Sequence, residues 1–167
     1  RTARGVPGRM AGQLDAERMI HTMESPKFRV ILVSHGEQSK GMLNTVQMLL
    51  GPQQNMAAYS LYPEQSVTDL TEELKKEVET HGSENIIFMT ELMHGSPFNA
   101  VVSLTRDHSV YHITGTNLAM LMAALMERDD ENATAESICD AAIAAVEGSF
   151  ADVRKILEES GDEEEDL

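Results

Sequence analysis

Phe28-Arg29-Val30-Ile31-Leu32-Val33-Ser34-His35-Gly36 is the stretch that decides the fold. Phe28 to Val33 is a short apolar, β-favouring run, and Ser34-His35-Gly36 breaks it at once. The segment that follows, 37–50, has Met42, Val46, Leu49 and Leu50 near one face of a helix. A strand passing straight into a helix is the first half of a βαβ unit. A side chain on that turn lies at the carboxyl edge of a parallel sheet. There the free N–H groups of a helix start, together with the helix dipole, favour an anion, phosphate in particular. His35 occupies that position. Imidazole is a nucleophile at neutral pH and can carry a covalent group, so the pattern points to a histidine that is itself phosphorylated.

The same alternation continues downstream. Gly51-Pro52 ends the first helix, because Gly accepts a helix C-terminus and Pro cannot continue one. A second strand is expected over 56–61, then a helix capped by Ser66 or Thr68 and running to about 81, with Leu70, Leu74 and Val78 as its stripe. Ile86-Ile87-Phe88-Met89 forms the core of a third strand, 85–90. A helix over about 97–106, a strand over 110–114, a helix over 117–128 and a long helix over 134–159, broken near Gly148-Ser149, complete the pattern. Unbroken apolar strands between amphipathic helices predict an α/β fold: a doubly wound, mainly parallel central sheet with helices on both faces. One domain is expected over 26–160. Residues 1–25 read as a flexible extension or appended leader, with a short helix over 15–23 and Met23 as a candidate start; 161–167 read as an acidic tail.

Composition narrows the function classes. The chain has 167 residues, 41% of them hydrophobic, which suits a globular core and not wholesale disorder. No apolar run approaches the roughly 20 residues that cross a bilayer, and one cysteine, Cys139, excludes an intramolecular disulfide. Thirteen basic against 28 acidic residues give a formal charge of −15, which argues against nucleic acid and against an anionic membrane surface as partners. A cytoplasmic protein is expected, and an acidic surface beside the site would suit a partner with basic residues.

The chemistry should sit where Ser34-His35-Gly36 meets the loop after the third strand, 91–97, since strands carrying such loops are often neighbours. A carboxylate at Glu91 accepting one imidazole N–H would fix the tautomer and leave the other nitrogen free to attack phosphorus. Gly36 would let backbone approach the phosphoryl oxygens, and Ser96, as N-cap before Pro97, would add a hydroxyl and further N–H donors. His81, His108 and His112 read as surface or capping residues, and Cys139 as a small hydrophobe. A zinc site from His35, Glu91 and His94 is a further reading of the same residue types, though loop spacing alone sets no coordination geometry.

Ser34-His35-Gly36, Gly41-Met42-Leu43, Met48-Leu49-Leu50-Gly51 and especially Gly95-Ser96-Pro97-Phe98-Asn99 together resemble the enzyme IIA component of mannose-type sugar phosphotransferase systems, from about residue 29 to 128. The resemblance implies a phosphocarrier: His35 takes a phosphoryl group from the phosphocarrier protein HPr and passes it to enzyme IIB, which serves the membrane IIC/IID complex. It implies Glu91 as the acid supporting the histidine, with Ser34, Gly36, Gly95 and Ser96 around the phosphoryl group, no cofactor and no metal. It also implies a homodimer, for which the Met-rich face over 118–126 is a candidate contact. Two residues depart from the family pattern: Glu91 stands where Asp is common, and His94 where a second Gly is common. No basic, Pro/Ala-rich linker follows, so a free-standing enzyme IIA is expected. The alternatives are a regulatory phosphohistidine domain of a transcription activator, the phosphotransfer subunit of a dihydroxyacetone kinase, and a small-molecule binding module in the same crevice.

Overall fold

The computed structural model describes residues 25–162. The helix expected over 15–23 and most of the acidic tail lie outside the described residues. Strands β1 (Arg29–His35), β2 (Met56–Leu61), β3 (Ile86–Thr90) and β4 (Tyr111–Thr114) alternate with helices α1 (Gln38–Leu50), α2 (Val67–His81), α3 (Ser96–Leu104) and α4 (Leu118–Arg128). Helices α5 (Ala135–Ala144) and α6 (Val153–Asp162) follow.

The sheet order is β2-β1-β3-β4 and every pairing is parallel. Alternate side chains along β1 therefore feed two cores. Val30 and Leu32 join Val46 of α1, Met120, Leu121 and Leu125 of α4, and Ile138 of α5 on one face. Ile31 and Val33 join Leu70, Leu74 and Val78 of α2 with Ala100, Val101 and Leu104 of α3 on the other. The fold is thus a doubly wound α/β sheet, as the apolar strands predict.

Local signals explain most element ends. Gly51, at φ 84°, closes α1, and the Ser66 hydroxyl accepts the Asp69 N–H to open α2. On the α2 face, Arg29 donates from Nε and Nη2 to the Glu77 carboxylate at 2.7 and 2.9 Å, and the Tyr59 hydroxyl donates to it at 2.6 Å. Burial pushes the Glu77 carboxyl upward, but those donors outweigh it and hold the group below its usual range.

The break expected near Gly148-Ser149 is present: the last segment is two helices, α5 and α6, and Gly148 between them takes φ 79°, outside the helical region. Two expectations are corrected. The 118–126 face is largely used by the molecule's own core: Met120, Leu121, Ala124 and Leu125 are buried, while Met126 faces outward. His112 is not a surface residue; its ring sits mostly buried beside β3, with Nε2 2.8 Å from the Thr90 hydroxyl.

Candidate active site

β1 and β3 are neighbours, with Val33 opposite Thr90, so the residues just beyond them meet at one sheet edge. From β1 the chain turns to α1 on one face and β2 on one side; from β3 it turns to α3 on the opposite face and β4 on the other side. That reversal is the switch point at which doubly wound sheets open a crevice.

In the crevice His35 lies against Glu91, 56 positions later. One Glu91 oxygen, Oε1, accepts from both the backbone N–H of His35, at 2.6 Å, and the ring Nδ1. An ionised carboxylate can only accept, so this contact assigns the proton to Nδ1 and leaves the Nε2 lone pair uncommitted. The two side chains differ in exposure, 48% for His35 and 13% for Glu91: the ring is open to a partner while its anchor is shielded.

Two glycines shape the backbone around the ring. Gly36 takes φ +52°, which allows the sharp exit from β1, and its N–H donates to Leu61 O at 3.0 Å. Gly95 backs the ring so closely that a Cβ there would lie 3.2 Å from His35 Cε1. Its carbonyl accepts the Asn99 N–H at 2.9 Å, so Gly95 and not Ser96 is the N-cap of α3; Ser96 is its first residue and Pro97 its second. The cap expectation for Ser96 is off by one position, and no side chain caps this helix.

Ser34 also sits differently from expectation. It is buried, and its hydroxyl oxygen accepts the Ser39 N–H at 2.7 Å, tying the end of β1 to the first turn of α1. A strand alternates its side chains, so His35 faces out where Ser34 faces in. Beyond His35, the Tyr62 hydroxyl donates to the Glu37 carboxylate and Lys40 Nζ donates to the Tyr62 oxygen at 2.9 Å. The Tyr62 bond raises the Lys40 ammonium above its usual value.

Behind the loop lies a group that sequence reading missed. Thr90, the residue before Glu91, has its carbonyl held by the Thr116 N–H at 3.0 Å and the Thr116 hydroxyl at 2.8 Å, and its own hydroxyl meets His112. Burial pushes the His112 imidazole down to about 4, so it is neutral at pH 7. The only signal available in sequence was that Thr90 ends one expected strand and His112 lies on the next, which the sheet places beside it. His94 is exposed and takes φ +66°, and its ring meets Phe98 edge-on at 5.5 Å. His35, Glu91 and His94 form no metal-binding group; among the described residues no cluster of three or more His, Cys, Asp or Glu is arranged to hold an ion. A cavity of about 460 Å³ lies at the opposite end of the sheet, lined by Phe28, Leu50, Gln53 and Arg128, far from this chemistry.

Residues 29–143 match the family model EIIA-man, described as PTS system fructose IIA component. The chain belongs to that family. The resemblance carried by the histidine loop and Gly95-Ser96-Pro97-Phe98-Asn99 to the mannose-type enzyme IIA family therefore holds. The mannose-specific EIIAB component of Escherichia coli strain K12 is 31% identical over 104 residues, covering 61% of this chain and 32% of that protein. The chain thus spans about a third of the length of the mannose-specific relatives it matches. The sorbose-specific EIIA component of Klebsiella pneumoniae is 27% identical over 109 residues, 65% of this chain and 79% of that one. Component EIIA from Streptococcus agalactiae superposes with a TM-score of 0.70 at 25% identity, over 77% of this chain and 98% of its own. Among the described residues no helix is long and apolar enough to cross a membrane.

Proposed function

We propose that this enzyme IIA component carries a phosphoryl group on His35 Nε2, accepting it from phosphorylated HPr and passing it to an enzyme IIB. The observation that carries the reading is the shared Glu91 oxygen on the backbone N–H and Nδ1 of His35, with the other ring nitrogen left exposed. In the transfer, the Nε2 lone pair forms the new N–P bond while the donor's N–P bond breaks and its nitrogen keeps the electron pair. No proton need leave His35: Nδ1–H stays in place, and the Glu91 carboxylate balances the positive charge that develops on the ring. Catalysis is then positioning and electrostatics, as phosphoryl transfer generally requires.

In this reading Gly36 and Gly95 let main chain lie close to the phosphoryl oxygens, and Ser96 supplies a hydroxyl and an N–H at the start of α3. Ser34 acts from behind, by tying α1 to the end of β1. The donor is a protein, so the site needs an open rim and not an enclosed cavity, and no cofactor is required. The reading further implies a cytoplasmic protein whose phosphoryl group reaches sugar through enzyme IIB and the IIC/IID complex. Self-association as a homodimer is an accompanying proposal, tested by sedimentation: a mass near 37 kDa, about twice the 18.4 kDa chain, supports it and the single-chain mass removes it.

The test uses the full chain with phosphoenolpyruvate, enzyme I and HPr. Acid-labile label should appear on the wild type and vanish in His35→Ala. Label that survives in the variant moves the phosphorylation site elsewhere.

A further inference from the structure

His94 is the one non-glycine residue with positive φ in the crevice, at +66°. That conformation disfavours a side chain with a Cβ, so holding an imidazole there has a conformational cost that glycine would avoid. Strain of this kind persists where surrounding contacts over-determine the position, and it clusters at functional sites. Here the contacts are visible. The His94 ring stands edge-on to Phe98, 5.5 Å between centroids, and Phe98 is backed by the His112 ring at 5.0 Å. His112 is fixed in turn by its bond to the Thr90 hydroxyl. The Asn99 amide adds a long contact to the His94 carbonyl at 3.4 Å. The imidazole is thus exposed yet propped over the first turn of α3.

That turn begins beside the reactive ring. Gly95, the next residue, packs on His35 Cε1, the carbon between Nδ1 and Nε2. Nε2 is bonded to that carbon, so a group attached to it is carried close to the loop that holds Gly95 and its neighbour His94. α3 carries no titratable side chain of its own, so an imidazole from the preceding loop is what could meet a phosphoryl oxygen there. We propose that His94 is a catalytic residue of this site, donating a ring N–H to an oxygen of the transferring phosphoryl group. This rests on the reading of His35 as the phosphoryl acceptor. Either neutral tautomer, with the N–H turned toward the phosphoryl group, can make the contact, as can the cation. Phe98 and His112 are positioning residues that act through it.

The test separates strain from chemistry. His94→Gly removes the imidazole and relieves the backbone; His94→Ala removes the imidazole and keeps the strain. Melting temperature and the rate of label transfer to His35 from phosphorylated HPr are measured for both. We expect His94→Gly to melt above the wild type and His94→Ala at or below it, while both transfer about tenfold more slowly, the loss of one hydrogen bond to a charged group. Slow transfer in a more stable protein cannot come from unfolding. Wild-type rates in both variants would overturn the contact and leave His35 as acceptor. A wild-type protein that takes no label at all would overturn both readings.

Discussion

Replacing Glu91 by Gln perturbs the mechanism while leaving the shape of the site intact. The amide oxygen can still accept the His35 backbone N–H, now at 2.6 Å from the carboxylate. What is lost is the negative charge on the far side of the ring. A hydrogen bond to a charged group contributes about 1.5–3 kcal/mol, against about 1 kcal/mol for a neutral one. Glu91 is only 13% exposed, so solvent screens little of that difference. The ring becomes cationic as Nε2 bonds phosphorus, so the missing ~1–2 kcal/mol falls mainly on the transition state and the phosphorylated product. Transfer into His35 should slow by roughly 5–30-fold. Rapid-quench measurement of label transfer from phosphorylated HPr reads the rate, and circular dichroism checks that the fold is retained. A folded Glu91→Gln protein that transfers within twofold of the wild type would refute the counter-charge role.

Ser34→Ala should leave the Ser39 N–H without its acceptor, lowering stability by about 1–2 kcal/mol in urea titration; an unchanged midpoint would remove Ser34 from holding α1. Glu77→Gln should lose the charge-assisted bonds from Arg29 and Tyr59 and cost about 2–3 kcal/mol, read the same way, with a change under ~0.5 kcal/mol as the contrary result. The depressed Glu77 carboxyl contributes stability that is present above the ordinary carboxylate range and disappears as pH falls through its lower folded value. His112 titrates near 4 when folded and near 6.5 when unfolded, so between those values the unfolded chain binds the extra proton. Stability should be full above about pH 6.5 and fall by on the order of 2–3 kcal/mol as pH drops to 4. His112→Gln should flatten that slope between pH 6.5 and 4.5, and an identical slope would assign the effect to other groups.

The fold was readable because its strands are buried on both faces. Val30-Ile31-Leu32-Val33 and Ile86-Ile87-Phe88-Met89 have no polar alternation, and a strand of that kind needs helices above and below it. The pairing of His35 with Glu91 was readable for the same reason, since loops leaving neighbouring parallel strands converge at one edge. Side-chain direction was not. Ser34 beside a reactive histidine reads alike whether its hydroxyl faces the ligand or, as found, the backbone of Ser39. Ser96 offered a better capping side chain than Gly95, but the backbone enters α3 one residue earlier and leaves the cap without a side-chain bond. His112 looked superficial because its burial depends on Phe98 and Thr90 arriving from two other elements. The break after α5 was suggested by Gly148 and holds, whereas the apolar stripe over 118–126 could not reveal which of its residues the sheet would cover.

Nitrogen NMR of the histidine-labelled, phosphorylated protein tests the central claim most directly. The account predicts that His35 carries phosphorus on Nε2 and that its Nδ1 remains protonated and hydrogen-bonded. Phosphorus on Nδ1, or on any histidine other than His35, would contradict it.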